Sequence, residues 1–165
     1  MARSALLAAL LSGSAGAATD PVVDCEAFKT AWNTALQRAE PGRPDLAFED
    51  LPGRVGESRV GNLPGIEARM TCREGKLGRL ELGQVSGDPA SGSPADMARR
   101  LLAAAAAVLV ASESELTAAP AAEIVTALRA EARAGHDAVS AWGPYEVTYG
   151  RTGGRETFVL DLAEN

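Results

Sequence analysis

The fold is decided by residues 66–82, whose sequence is IEARMTCREGKLGRLEL. Apolar residues occupy every second position from Ile66 to Cys72, and charged or hydroxyl residues lie between them, which is typical of a strand buried on one face. Glu74-Gly75-Lys76 has the composition of a short turn. The alternation then resumes with Gly78, Leu80 and Leu82. The stretch therefore predicts a β-hairpin with one face in the core.

A second hairpin is predicted at the C-terminal end, with its turn at Gly153-Gly154. Its inward-facing residues would be Tyr145, Val147, Tyr149, Phe158, Leu160 and Leu162. Residues 45–64 predict one further strand, because Pro52 and several glycines interrupt any longer extended run.

Helical periodicity predicts three helices. The first would begin at Asp20-Pro21, an N-cap followed by proline, and end at Pro41-Gly42. The second would begin at Ser93, with Pro94 at its first position and Asp96 completing a variant of the capping box, and run to about Ala111. Its segment from Leu101 to Ala111 is apolar all round, which favours a buried helix over a membrane span. The third would run from about Ala118 to a stop at Gly135. The apolar stripe of the first helix is Cys25, Phe28, Trp32, Ala35, Leu36 and Ala39.

The predicted fold class is therefore α+β, with three helices and an antiparallel sheet of four to five strands. The order of elements is α-β(β)β-α-α-β-β. The order of elements resembles that of small secretion-chaperone-like folds. The resemblance is in topology alone, without any shared motif. Topology by itself does not imply a function.

The N-terminus predicts a cleavable signal peptide over residues 1–18, followed by a single α+β domain over residues 19–165. Arg3 supplies a positive charge, Ala5–Leu11 is an apolar run, and Ala15-Gly16-Ala17 fits a small-x-small cleavage pattern. An ordinary N-terminal helix is the alternative. The apolar run is far shorter than the roughly 20 residues that span a bilayer. We expect an exported, periplasmic or secreted protein without an integral membrane segment after the signal is removed.

Cys25 and Cys72 are the only cysteines. Each lies on the apolar face of its own predicted element, and two faces that must be buried can bury each other. We therefore expect one disulfide that ties the first helix to the sheet, as the export route permits. Two buried thiols or a reactive pair are the alternatives, but a Cys-x-x-Cys motif is absent from the sequence.

The charge balance argues against two classes of partner. The formal net charge is −6 and the sequence has no basic cluster. Nucleic-acid binding depends on neutralising phosphates, and anionic membranes attract basic segments, so neither partner is expected.

The sequence shows no evident catalytic, metal or cofactor site. His136 is the only histidine, and it is followed by Asp137. A metal centre would need several ligands at workable spacing. A His-Asp pair could orient an imidazole for catalysis, but no serine lies in a nucleophile-elbow motif. A surface histidine near a helix end is the simpler interpretation.

The segment Trp142-Gly143-Pro144-Tyr145, with Tyr149 in the following strand, is the candidate binding surface. Trp and Tyr are favoured at recognition surfaces. Alternatively, Trp142 packs beneath the connection from the third helix and Tyr145 belongs to the core.

The sequence favours a small exported binding or accessory protein that meets a protein or peptide partner through a sheet face, a sheet edge or the aromatic loop. One alternative is a hydrolase-type enzyme whose site assembles from distant residues near His136 and Asp137. A small-ligand carrier is another. The sequence makes no prediction of oligomeric state.

Overall fold

The computed structural model of the chain describes residues 22–85, 92–132 and 135–163. The helices are α1 (Cys25–Ala39), α2 (Pro94–Ser112) and α3 (Ala118–Glu131). The strands are β1 (Ala47–Asp50), β2 (Glu57–Gly61), β3 (Ile66–Arg73), β4 (Lys76–Gln84), β5 (Ala138–Trp142), β6 (Tyr145–Thr152) and β7 (Arg155–Leu162). The predicted signal peptide lies outside the described residues and stays a prediction.

The strands form one seven-stranded antiparallel sheet in the order β1-β2-β3-β4-β7-β6-β5. Strands β1–β4 make one meander and β5–β7 a second, and the two meet where β4 pairs with β7. The α+β class and the order of helices and strands are confirmed. The sheet is wider than the four to five strands that the sequence predicts.

The additional strands have short or glycine-interrupted sequences. Residues 45–64 form two strands, because the chain reverses between them through Gly53 and Gly56, whose φ angles are +74° and +76°. A Cβ on Gly56 would lie 2.3 Å from the carbonyl oxygen of Cys72, so this close approach requires glycine. Strand β5 was missed because its five residues show no clear alternation.

One face of the sheet is apolar across both meanders. The register aligns the buried residues in two rows across the strands, one of Met70, Leu80, Leu160 and Val147, the other of Ala68, Leu82, Phe158 and Tyr149. Helix α2 lies between α1 and α3 and packs on β3, β4 and β7, while α3 packs on β5 and β6. The core is therefore a single layer between this face and the helices.

Helix α2 is the central helix because its side chains are small. Its segment Ala104–Leu109 is buried on every side. Alanine side chains allow neighbouring helices to approach closely, and alanine has the best intrinsic helix propensity. The apolar segment that the sequence assigns to a buried helix is therefore confirmed as one. Within the described ranges, no helix is long and apolar enough to cross a membrane.

The Cys25–Cys72 disulfide is present, with its Cα atoms 6.3 Å apart. A β-bulge between Thr71 and Cys72 brings Leu77 opposite Cys72, so Leu77 faces the core in addition to the predicted Gly78, which is also buried. The backbone N–H of Cys25 also donates to the carbonyl of Gly75 at 2.9 Å. Helix α1 is thus tied to the β3–β4 hairpin by a covalent bond and by a backbone hydrogen bond.

The first helix begins later than the sequence predicts, at Cys25 and not at Pro21. The carboxylate of Asp24 caps this start, because its Oδ1 accepts hydrogen bonds from the backbone N–H groups of Glu26 and Ala27 at 3.0 and 3.2 Å. The predicted cap residue, Asp20, lies outside the described residues.

The capping box predicted for the second helix is confirmed, with Ser93 and Asp96 bonding each other's backbone N–H groups. The third helix ends earlier than predicted, at Glu131, and Gly135 does not stop it. Ala132 is buried and adopts an extended backbone (φ −65°, ψ 127°), so the chain leaves the helix there.

Candidate functional site

The candidate site is a groove of about 690 Å³, which we call the Trp142 groove. It forms where the segment Val22–Asp24, the end of α2 with the residues that follow it (Val110–Glu115) and the β5–β6 turn (Trp142–Tyr145) meet. Ala31 and Lys76 complete its lining. The groove therefore lies at the start of α1, beside the disulfide, and is open to solvent.

The wall formed by Val22–Asp24 is held in place by backbone hydrogen bonds. The carbonyl of Val23 accepts from the N–H of Leu77 at 2.9 Å, and the N–H of Val23 donates to the hydroxyl of Tyr145 at 3.0 Å. This short segment is thereby fixed to both meanders. The valine side chains are half-buried and remain accessible from the groove.

The indole of Trp142 is held against the end of α2. Its Nε1–H donates to the Oγ of Ser112 at 3.0 Å, and that hydroxyl donates to the carbonyl of Leu109 at 2.9 Å. The turn that follows uses Gly143 with a φ angle of +54°, in the left-handed region that favours glycine. Because Trp142 is only half-buried, it offers an oriented aromatic surface to a ligand.

The rim of the groove is acidic. Asp24, Glu113 and Glu115 line it and are exposed, against one basic residue, Lys76. Helix α2 ends here without a basic residue in its last turn, so its C-terminal carbonyls add negative potential to that of the carboxylates. Among the described residues the side chains of Glu113 and Glu115 have no hydrogen-bond or ion-pair partner. The rim therefore favours a cationic group.

The structure separates the three residues of the predicted binding surface, Trp142, Tyr145 and Tyr149. Tyr145 is 2% exposed and Tyr149 is fully buried, so both belong to the core, whereas Trp142 is half-buried and accessible from the groove. Burial raises the pKa of Tyr145, although its hydrogen bond with Val23 opposes the rise. The alternation of apolar residues in this strand places both tyrosines on its inward face, so the sequence pattern itself indicates their burial.

The His136–Asp137 pair does not form part of the groove. Both residues are exposed, and neither side chain has a hydrogen-bond partner among the described residues. Asp137 lies near the backbone of β6, where a Cβ on Gly150 would come within 2.9 Å of its Oδ1. The part of the chain that the structure describes also holds no group of three or more His, Cys, Asp or Glu side chains able to hold a metal ion.

Comparison with known proteins supplies no assignment. No protein family, curated protein or solved structure matches this chain. The chemistry of the groove is that of its own lining residues. These are apolar side chains, carboxylates, hydroxyls and one lysine, with no histidine, cysteine or arginine among the lining residues.

A second polar cluster, centred on Glu156, is buried at the α3 side of the sheet. Arg129 of α3 donates to both carboxylate oxygens of Glu156, at 2.9 and 2.8 Å, and Tyr149 donates its hydroxyl to Oε2 at 2.6 Å. Gln84 accepts from the backbone N–H of Glu156 at 3.1 Å. Glu156 is 5% exposed and its carboxylate is fully paired, so the cluster ties α3 to the sheet.

These contacts shift two pKa values in opposite directions. Burial raises the pKa of Glu156, but the hydrogen bonds from Arg129 and Tyr149 outweigh burial, and the net pKa is lowered. Burial raises the pKa of Tyr149 well above its ordinary value, and the hydrogen bond to Glu156 adds to the rise. Sequence reasoning missed Glu156, although its position two residues before Phe158 places it on the inward face of β7.

We expect the Glu156→Gln substitution to lower the free energy of unfolding at pH 7 by about 2 kcal/mol, since it weakens hydrogen bonds to a buried charge. Because the folded pKa of Glu156 is lowered, its contribution is present above the ordinary value of 4.5 and is lost as the pH falls through the folded value. Urea unfolding between pH 7 and pH 3 should therefore show a smaller acid-induced loss in the variant.

The matched control for this experiment is Glu146→Gln, which removes an exposed carboxylate from β6. It should leave both the stability at pH 7 and its pH dependence close to those of the unmodified protein. If the two variants respond alike to acid, Glu156 is not the group that stabilises the fold above its pKa.

Proposed function

We propose that this protein is an exported, non-catalytic binding or accessory protein that holds a segment of a partner protein in the Trp142 groove. The observation that carries the proposal is the combination of an apolar lining, which includes Trp142 and the half-buried valines, with an acidic rim. Exposed aromatic residues are frequent anchors of binding interfaces. The disulfide supports the export part of the proposal, because such bonds persist in oxidising compartments.

The groove defines the chemistry of the partner segment. An apolar side chain would lie across Trp142 and Pro144 and displace water from both. A lysine or arginine beside that side chain would meet Glu113, Glu115 and the carbonyl end of α2. We therefore propose a partner segment with an apolar residue flanked by basic residues.

A peptide array tests the proposal directly. Purified oxidised protein should bind peptides in which Leu or Phe is flanked by lysines, and should not bind the same peptides with glutamates in place of the lysines. Trp142→Ala should weaken this binding about tenfold or more, because the anchoring ring is lost. Glu113→Gln combined with Glu115→Gln should weaken it and reduce its dependence on salt, since exposed charges are screened at physiological ionic strength.

Two control variants match these changes outside the groove. Val139→Ala truncates an exposed apolar residue on β5, and Glu123→Gln with Glu131→Gln removes two exposed carboxylates of α3. Both should bind the lysine-flanked peptides as the unmodified protein does. Equal binding of lysine-flanked and glutamate-flanked peptides would contradict the proposal. Turnover in a broad hydrolase screen, abolished by His136→Ala, would favour an enzyme instead.

A further inference from the structure

A second pocket opens at the opposite end of α1, and its lining does not overlap that of the Trp142 groove. Its volume is about 300 Å³, at the lower end of the range typical for small-ligand sites. Leu36, Leu63, Ile66 and Ala104 give it an apolar wall, and each of these side chains is buried. We call it the Arg43 pocket.

Arg43 lies in this wall with an unsatisfied donor. Its side chain is only 8% exposed, and its Nε is buried without a hydrogen-bond partner among the described residues. The neighbouring carboxylate, Glu40 Oε2, lies 4.0 Å from this nitrogen, which is too long for a hydrogen bond. A buried N–H of a charged group without an acceptor is costly, so an acceptor from outside the chain would be stabilised here.

The other end of the Arg43 guanidinium is already engaged. Its Nη2 donates to the carbonyl of Asn62 at 2.7 Å, which holds the β2–β3 loop beside the pocket. Arg100 of α2 reaches the same loop, with its Nη1 3.5 Å from the carbonyl of Pro64. The guanidinium groups of Arg43 and Arg100 therefore line one small apolar pocket, and the Nε of Arg43, occluded by its surroundings, has no acceptor among the described residues.

We propose that the Arg43 pocket binds a small aliphatic carboxylate, with its chain against the apolar wall and its carboxylate accepting from Nε of Arg43 once a small rotation of that side chain turns the N–H toward the pocket. Arginine is well suited to carboxylates because its planar donors match their geometry. The small volume suits a short chain. Such a carboxylate can come from a free acid or from the C-terminal residue of a peptide, and both present the same chemistry. This site goes beyond the proposed groove and does not depend on it.

Glu40 lies beside the proposed position of the ligand carboxylate. Among the described residues, its side chain is the one anionic group within 4.0 Å of Nε of Arg43, and it is 57% exposed. A bound carboxylate would take the position facing Nε and would be repelled by Glu40. Removing the charge of Glu40 should therefore tighten binding, a result that a purely structural role of Arg43 would not produce.

Titration of the oxidised protein with hexanoate, followed by calorimetry and by amide NMR shifts, tests the site. Hexanol and hexylamine carry the same chain without the carboxylate, and neither should bind comparably. Arg43→Gln should weaken hexanoate binding about tenfold or more, since a hydrogen bond to a charged group is lost. Glu40→Gln should tighten it about threefold. The peptide Gly-Gly-Leu with a free or an amidated C-terminus distinguishes the two sources.

Arg38→Gln is the matched control, because it removes an exposed guanidinium from the last turn of α1 without touching the pocket. It should leave hexanoate binding unchanged. Arg43→Gln also removes the hydrogen bond to the β2–β3 loop and can disturb that loop. Arg43→Lys is therefore a second test: it keeps the positive charge, removes Nε, and should also weaken hexanoate binding. Binding of hexanol as tight as that of hexanoate, equal binding by the Arg43→Lys and Arg38→Gln variants, or absence of shifts at the pocket would overturn the proposal.

Discussion

Replacing Cys25 and Cys72 together with alanine is expected to lower the free energy of unfolding by about 4 kcal/mol. The bond joins residues 47 positions apart, and a cross-link of that span removes much of the conformational freedom of the unfolded chain. A loss of this size is a large share of the stability of an ordinary domain, which is about 5–15 kcal/mol. Urea unfolding of the oxidised protein and of the double variant measures the difference.

Reduction supplies an independent check on the same bond. A reducing agent should shift the unfolding midpoint of the unmodified protein toward that of the double variant, and it should leave the variant unchanged. Mass spectrometry under non-reducing conditions should find no alkylatable thiol in the purified protein. A double variant as stable as the oxidised protein would show that the core alone holds α1 on the sheet.

Trp32→Ala is expected to cost about 4 kcal/mol, because it empties the largest fully buried side chain of the core. The ring of Trp32 lies 5.8 Å from that of Phe28 and 6.2 Å from that of Phe48, measured between centroids. The substitution would therefore remove one of the contacts between α1 and β1 as well as the buried volume. Thermal and urea unfolding should both report the loss.

The chain offers a matched control, since Trp142→Ala makes the same change at a half-buried position. It should cost less than half as much stability as Trp32→Ala. Trp32→Phe is informative as well, because it keeps a ring and removes an indole N–H that has no hydrogen-bond partner among the described residues. It should be better tolerated than Trp32→Ala. Equal losses at Trp32 and Trp142 would contradict the placement of Trp32 in the core.

The parts of the fold that the sequence predicts are those with a strong local pattern. Alternation from Ile66 to Leu82 is enough to predict β3, β4 and the face they bury, and Ser93 with Asp96 is enough to predict the start of α2. Strand β5 has no comparable signal in its five residues. It is a strand because it pairs with β6. Such pairing depends on a neighbouring segment and leaves no pattern in the sequence of β5 itself.

The candidate site is only partly predictable from the sequence, because it too is formed by segments that are distant along the chain. Trp142 could be singled out because aromatic residues are few, but the acidic residues that join it come from the end of α2. The burial of Arg43 is even less visible, since arginine after a helix usually lies in solvent. Its surroundings come from α1, α2 and the β2–β3 loop, which only the folded chain brings together.

The junction of the two meanders has a consequence for the order of folding events. Within each meander, neighbouring strands are also neighbours along the chain, so their pairing closes short loops. The pair of β4 and β7 is different, because residues such as Arg79 and Asp161, bonded across it, are 82 positions apart. Contacts at such separation form slowly, since more chain must be ordered to close them. We expect the centre of the finished sheet to be the last part of it to assemble.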